Sequence, residues 1–315
     1  AHVDFEDAEG QVKVAVEIYK KVYDALGLSY LLLKRPDFDK FAGAVYTLAF
    51  DTWNPDGKSS QIGTVHNLGE NFAKAFDVTY EDDEGTHRHV SNTCYGMGFG
   101  RTLAATIAHH GDNNGLVLPS VVAPKQVVIV PILFRGKEEE VVAYSKEIEA
   151  KLREAGIRTV LDDDDRLRPG EKYYKWDMYG VPLRVEAGPR EADARTVTLV
   201  RRDNRAKSKA SFDELVGTVQ GLFEDLFADL KRRSRERLES ELVDANSLEE
   251  LKAYVEQRKI ARVNWCGEPS CAFELKDQVT GEVRGTLWGE GEEPTGPCMV
   301  CGDEANYIAH VSQTY

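Results

Sequence analysis

Apolar residues recur at helical spacing across positions 9–27. Val12, Val16, Ile18, Val22 and Leu26 mark the inner face of an amphipathic helix, and Gly27 supplies its stop. The period then shortens: residues 44–50 and 76–80 read as strands, divided by the strong turn signal Asn54-Pro55-Asp56-Gly57. A run of alternating glycines, Cys94-Tyr95-Gly96-Met97-Gly98-Phe99-Gly100-Arg101, leads into a helical stretch at 102–109, and 115–124 reads as a loop leaving a first domain. From Gln126 the pattern changes. Residues 127–133 are a continuous apolar run suited to a buried strand, and 137–155 a charged amphipathic helix closed by Gly156. Residues 157–161, 183–186 and 196–200 are further strands, followed by a helix from 212 to about 237. Strands alternating with helices predict a compact α/β domain with a mostly parallel or mixed sheet. Residues 238–259 read as a polar helical stretch leading into a cysteine-bearing C-terminal segment.

Cys266, Cys271, Cys298 and Cys301 stand as C-x4-C, a gap of 26 residues, and C-x2-C. Two close thiolate pairs joined by a loop predict a closed, structural, tetrahedral zinc site. Gly267, Pro269, Gly296, Pro297 and Gly302 supply the sharp turns that aim two sulfurs at one ion. The competing reading is two disulfides or unrelated buried cysteines.

The length, 315 residues, suits two or three domains, and the 42% hydrophobic and 30% charged content is ordinary for a globular protein. No apolar run approaches the ~20 residues that span a bilayer, and no signal peptide opens the chain. With Cys94 the one cysteine outside the proposed zinc set, reduced thiols point to the cytoplasm. The first residue is Ala1, so a processed chain or a fragment is expected. The 40 basic and 54 acidic residues leave a net charge of −14, which argues against non-specific coating of nucleic acid, DNA included. Two basic clusters, Arg201, Arg202, Arg205, Lys207 and Lys209, then Lys231, Arg232, Arg233, Arg235 and Arg237, read as solvated faces in preference to RNA contacts.

Candidate chemistry lies in three places. With a strand's period of two, Gly96, Gly98 and Gly100 share one face, stripped of side chains so that a flat ligand can lie on the backbone, while Met97 and Phe99 anchor the other face in the core. Arg101 follows at the strand-to-helix junction, placed to stack on a base or pair with phosphate. The segment Gln61-Ile62-Gly63-Thr64-Val65-His66-Asn67-Leu68-Gly69 packs an amide, a hydroxyl and an imidazole into six residues, suited to a small polar ligand. Phe41-Ala42-Gly43-Ala44 suits either a small apolar pocket or plain core. His109 and His110 diverge by ~100° on a helix and do not chelate together, so they mark a helix C-terminus.

The glycine-alternating strand and Arg101 resemble motif 3 of class II aminoacyl-tRNA synthetases. Phe41-Ala42-Gly43-Ala44 and then Gln61-x-Gly63-Thr64-x-His66-x-Leu68-Gly69-x-Asn71-Phe72 are similar to the prolyl-tRNA synthetase family. So are Gly111-Asp112-x-x-Gly115-Leu116-Val117-Leu118-Pro119 and Ala123-Pro124-x-Gln126-Val127-Val128-Ile129-Val130-Pro131. The cysteine segment and the terminal Tyr315 resemble the archaeal/eukaryotic-type branch. In two places the chain departs from the family: no acidic residue precedes the motif 3 arginine, and Cys94 stands where serine is common.

The resemblance implies a multidomain α/β and α+β fold: residues 1–123, the C-terminal part of an antiparallel-sheet catalytic domain; 124–233, an α/β anticodon-binding domain; 234–315, a small zinc-binding extension. It implies ATP-dependent attachment of proline to its tRNA through a prolyl-adenylate, with motifs 1 and 2 missing from an N-terminally truncated chain. It further implies Gln61, Thr64 and Arg101 as ATP contacts, and His66, Phe41, Cys94 and Gly96 as proline contacts. Arg101 and His66 would be catalytic, with the four cysteines on Zn2+, Mg2+ arriving with ATP, and Tyr315 docked back onto the catalytic domain. Proline, ATP and the proline tRNA are the implied partners, with a homodimer in the full-length enzyme and no DNA or membrane. The competing class is a non-catalytic synthetase-like module that binds RNA or protein.

Overall fold

The computed structural model describes every residue except Glu290. The chain forms two compact units, one of residues 1–24, 28–105 and 235–315, the other of 25–27 and 106–234. No helix among the described residues is long and apolar enough to cross a membrane.

The first unit opens with α1 (Phe5–Ala25), which starts earlier than its apolar pattern because Asp4 Oδ1 accepts the Asp7 amide at 2.8 Å. Its inner face is Ala8, Val12, Ala15, Val16, Tyr19 and Tyr23. Ile18, expected inside, is half exposed, since the two tyrosines take the core face and pack at a tilt against Phe50, with ring centroids 5.7 and 5.2 Å away. Next come β1 (Leu31–Lys34), β2 (Tyr46–Trp53), β3 (Ser59–Gly69), α2 (Asn71–Phe76), the hairpin β4 (Thr79–Glu81) and β5 (His87–His89), β6 (Asn92–Met97) and α3 (Phe99–His110). All eight residues of β2 are buried, as a central strand covered on both faces requires. The expected strand at 76–80 is divided: Phe76 closes α2, with Asp77 left-handed at its C-cap, and pairing starts at Thr79.

The second unit contains β7 (Val127–Pro131), α4 (Glu138–Glu154), β8 (Thr159–Leu161), α5 (Pro169–Met178), β9 (Leu183–Ala187), α6 (Pro189–Ala194), β10 (Thr196–Arg201), β11 (Lys207–Ser211) and α7 (Leu215–Glu241), which runs on past the unit. The sheet order is β11-β10-β9-β7-β8, parallel for β8, β7 and β9 and antiparallel beyond, so the mixed sheet is as expected. Ile129 packs under Ile148 of α4 and Leu215 of α7, while Val128 and Val130 face Trp176 of α5. Cover on both faces is why β7 is apolar without alternation. His110 Nε2 meets the Leu26 carbonyl at 2.8 Å and His109 Nδ1 meets Ser234 Oγ at 3.0 Å, so both histidines finish a buried helix end.

The remaining elements are β12 (Leu242–Asp244), α8 (Leu248–Glu256), β13 (Ile260–Trp265), α9 (Pro269–Gln278), β14 (Glu282–Leu287) and β15 (Tyr307–Ser312). The single polar helix expected at 238–259 is broken, because β13 takes up Leu242 and Val243 in parallel pairing and Ser247 Oγ caps a new helix at the Glu250 amide. The elements β12 to β15 do not form a separate sheet. Leu287 of β14 pairs with Leu33 of β1, giving one eight-stranded sheet, β12-β13-β15-β14-β1-β2-β3-β6. The seam depends on Gly285 at φ +134, where a Cβ would lie 2.2 Å from the Lys34 carbonyl oxygen. The result is a mixed α/β multidomain fold with an antiparallel-rich sheet.

Candidate functional site

Strand register assembles the candidate residues. Thr47 of β2, His66 of β3 and Cys94 of β6 lie in one row across the sheet, and Ala49, Thr64 and Gly96 in the next. Gln61 is three residues from Thr64 and would face the other way in a regular strand. The register shift that pairs Phe50 with Gly63 but Asp51 with Gln61 returns it to the same side. The opposite face packs on α1, where Gly63 is required: a Cβ there would lie 2.3 Å from the Tyr23 hydroxyl.

On the candidate face, His66 is nearly buried and held at both nitrogens, Nδ1 by Thr47 Oγ1 at 2.8 Å and Nε2 by Thr64 Oγ1 at 3.0 Å. Burial pushes its pKa below the usual histidine value, so the ring is neutral. The Phe41 ring sits 5.0 Å from the imidazole and remains half exposed, and its backbone N–H donates to Thr47 Oγ1 at 2.9 Å. Phe72 lies along Phe41, and a Cβ on Gly43 would strike the Phe72 ring at 2.8 Å. Cys94 and Gly96 are exposed, and the space above Gly96 is open.

The glycine strand is shorter than its sequence suggests. Pairing ends at Met97, where the Gly98 amide donates to the Ile62 carbonyl at 2.9 Å and α3 begins at Phe99. Phe99 is 81% exposed and does not anchor the core, because helical spacing has replaced the strand period by that point. Gly100 accordingly belongs to the first helical turn and not to a flat floor. Arg101, exposed on the same turn, donates through Nη1 to the Gln61 carbonyl at 3.3 Å.

Below Gln61 lies a charge network that no local motif signals. Arg35 and Asp51, each 3% exposed, form a two-pronged pair at 2.6 and 2.9 Å. Arg284 Nε adds a third contact to Asp51 at 3.0 Å. Burial alone would raise the Asp51 carboxyl; the Arg35 and Arg284 charges overcome it and hold the group below the usual carboxylate range.

The four cysteines converge, all free and with their sulfurs within 4.8 Å of one another. Cys266 lies 3.7 Å from Cys271 and 3.9 Å from Cys301. Zn–S bonds of about 2.3 Å in a tetrahedron require sulfurs about 3.8 Å apart, so the donor set fits zinc and does not fit disulfides. Burial pushes the Cys298 thiol up, yet backbone N–H groups of Cys301, Val300 and Cys266 aimed at its sulfur bring it down to about 7. Tyr315 lies beside the β2–β3 turn: its hydroxyl donates to Asp56 Oδ1 at 2.9 Å and accepts from Asn54 Nδ2 at 3.3 Å, while its ring stays largely in solvent. Two residues earlier, the Gln313 carbonyl accepts the Ser59 amide at 2.8 Å and ties the chain end to β3.

Three family models match in order: tRNA synthetase class II core domain (G, H, P, S and T) at residues 2–110, anticodon binding domain at 126–222, and the prolyl-tRNA synthetase C-terminal region at 248–315. Proline–tRNA ligase of Pyrococcus horikoshii is 47% identical over 100% of this chain and 66% of its own length. The chain belongs to the prolyl-tRNA synthetase family. The proteins of the same name from Methanopyrus kandleri (44% identity, 64% of its length) and Pyrobaculum arsenaticum (49%, 65%) also match across 100% of the chain. The chain thus spans just under two thirds of the length of these curated relatives.

The basic clusters of the anticodon-type unit are not simply solvated. Arg202 is buried against Asp112 at 2.7 and 2.8 Å, and Arg201 pairs with Asp203 and Asp229, because a β10 end packed under helices encloses both. Arg233 also reaches Asp203, at 2.9 Å. Sequence reasoning missed Thr47, Arg35, Asp51 and Arg284 around the candidate face.

Proposed function

We propose that the complete polypeptide containing this chain is a proline–tRNA ligase. It would join proline to ATP as prolyl-adenylate, releasing pyrophosphate, and pass the prolyl group to the 3′ end of its tRNA. The observation that carries this is the ordered match of three synthetase regions, together with an open Gly96 surface beside the Phe41–His66 pair. The proline carboxylate oxygen attacks the α-phosphorus in line, an O–P bond forms, and the bond to pyrophosphate breaks. A hydroxyl of the terminal ribose then attacks the prolyl carbonyl and AMP leaves. The chain's own contribution is orientation and charge stabilisation.

In this account Gln61, Thr64 and Arg101 contact ATP, with Arg101 stabilising charge on the transferring phosphate. Phe41, Cys94, Gly96 and the His66 face contact proline, and His66 fixes the Thr47 and Thr64 hydroxyls. Magnesium enters with ATP. No group of three or more metal-ligating side chains other than the cysteines converges among the described residues, so no magnesium ligand is assigned. Cys266, Cys271, Cys298 and Cys301 hold a structural zinc. Residues 1–123 act as the C-terminal part of the catalytic domain, 124–233 read the anticodon, and 234–315 form the zinc extension, with Tyr315 docked on the catalytic portion. The functions of motifs 1 and 2 are assigned to residues outside these 315, and the working enzyme is a cytoplasmic homodimer. Proline-dependent ATP–pyrophosphate exchange by the complete polypeptide tests the roles: Arg101→Ala is expected to lower it at least ~10²-fold. Unchanged exchange at saturating ATP and proline would exclude Arg101 from the chemistry.

A further inference from the structure

The Gln61 side chain is already half committed within the protein. Its Oε1 accepts from Arg35 Nη2 at 3.0 Å. Arg35 cannot swing away, because both its terminal nitrogens are on the Asp51 carboxylate and Nη1 also donates to the Arg284 backbone carbonyl. Asp51 is fixed in turn by the Arg284 side chain, which is 12% exposed and has Glu282 3.6 Å from its Nη1. Arg35 and Asp51 sit on or beside the central strands, whereas Arg284 comes from β14, in the segment that carries the cysteines. One buried carboxylate therefore joins the C-terminal segment to the candidate face.

The consequence is chemical. A carboxamide has one acceptor end and one donor end, and the two are interchangeable by a flip unless a partner decides. Arg35 carries donors only, so it accepts no N–H and fixes the oxygen inward. What Gln61 offers a ligand is its NH2 group. We propose that Arg284 is a positioning residue for nucleotide binding, acting through Asp51 and Arg35 to lock the Gln61 amide as a hydrogen-bond donor to an acceptor atom of ATP. This rests on the proline–tRNA ligase reading, in which Gln61 contacts ATP. The acceptor belongs to a class that Gln61 can meet with N–H alone: a ribose or phosphate oxygen, or an unprotonated ring nitrogen.

The test is a double-mutant cycle in the complete polypeptide, read as KM for ATP and KM for proline in pyrophosphate exchange. Gln61→Ala and Arg284→Ala are each expected to raise the ATP KM about tenfold, the worth of one well-placed hydrogen bond, with the proline KM within about twofold. The double variant should be no worse than Gln61→Ala alone, since Arg284 acts only through that amide. Arg284→Lys, which keeps a charge on Asp51, should recover part of the loss. Multiplying effects in the double variant, or equal rises in both KM values, would overturn the inference. Gln61→Glu is the second arm and does not disturb Arg284. It keeps the oxygen on Arg35 and removes the donor, so it should weaken ATP binding as much as Gln61→Ala; wild-type ATP KM would overturn the donor assignment even if Arg284→Ala fails to fold. Absence of proline-dependent exchange in the wild type would instead strike at the functional reading itself.

Discussion

His66 holds two threonine hydroxyls at once, and a neutral ring does so by donating from one nitrogen and accepting at the other. Protonation turns both nitrogens into donors and forces one threonine to reverse. Burial lowers the folded-state pKa below the usual value of about 6.5, so the unfolded chain binds the proton more readily. The stability His66 contributes is full above that unfolded value and is lost as pH falls through the lower folded one. Proline-dependent exchange is expected to decline below about pH 6.5, and His66→Asn to lack that part of the acid limb. An acid limb that His66→Asn retains unchanged would contradict the assignment. At this scale the sequence spells out Gln61, Thr64 and His66 together, because one strand carries them. Arg35, Asp51 and Arg284 carry no such signal, since the bonds that unite them connect positions up to 249 residues apart.

Elements were legible wherever one face decides the pattern. The apolar run of β7 and the charged helix α4 follow directly from two-sided and one-sided burial. Errors arose where a boundary switched period, as at Phe99, or where charged side chains do the packing. Helix α5 is hidden for the second reason: its Lys172 is buried against the Asp162 carbonyl at 2.7 Å, and Tyr173 lies under the Arg184 guanidinium. The register shift at Gln61 is equally invisible in sequence, although Gly63 marks the place where helix and strand come together. Adding a methyl there should push on the Tyr23 hydroxyl. Gly63→Ala is expected to cost about 1–3 kcal/mol in denaturant unfolding. Combining it with Tyr23→Phe, which removes the nearest atom, should restore more than half of that. An unaltered unfolding midpoint for the single variant would show that α1 is free to move aside.

For the molecule as a whole, the cysteine segment is legible as a metal module from spacing alone, but its inclusion in the central sheet is not. That depends on β14 reaching β1 across Gly285, a pairing that joins positions 33 and 287. If zinc holds the segment, the complete polypeptide should carry one zinc per chain. Cys271→Ser should lose the metal and lower the melting temperature, whereas deleting Tyr315 should keep the zinc and reduce proline activation. Wild-type activation without Tyr315 would remove the dock from the account, and a metal-free protein of unchanged melting temperature would remove the zinc. The central claim, a proline–tRNA ligase, is tested most directly by aminoacylation of an unmodified proline tRNA with labelled proline by the complete polypeptide. The account predicts ATP-dependent, proline-specific charging that other amino acids do not reproduce at equal concentration. A folded, zinc-loaded protein that charges the tRNA with another amino acid, or with none, would contradict it.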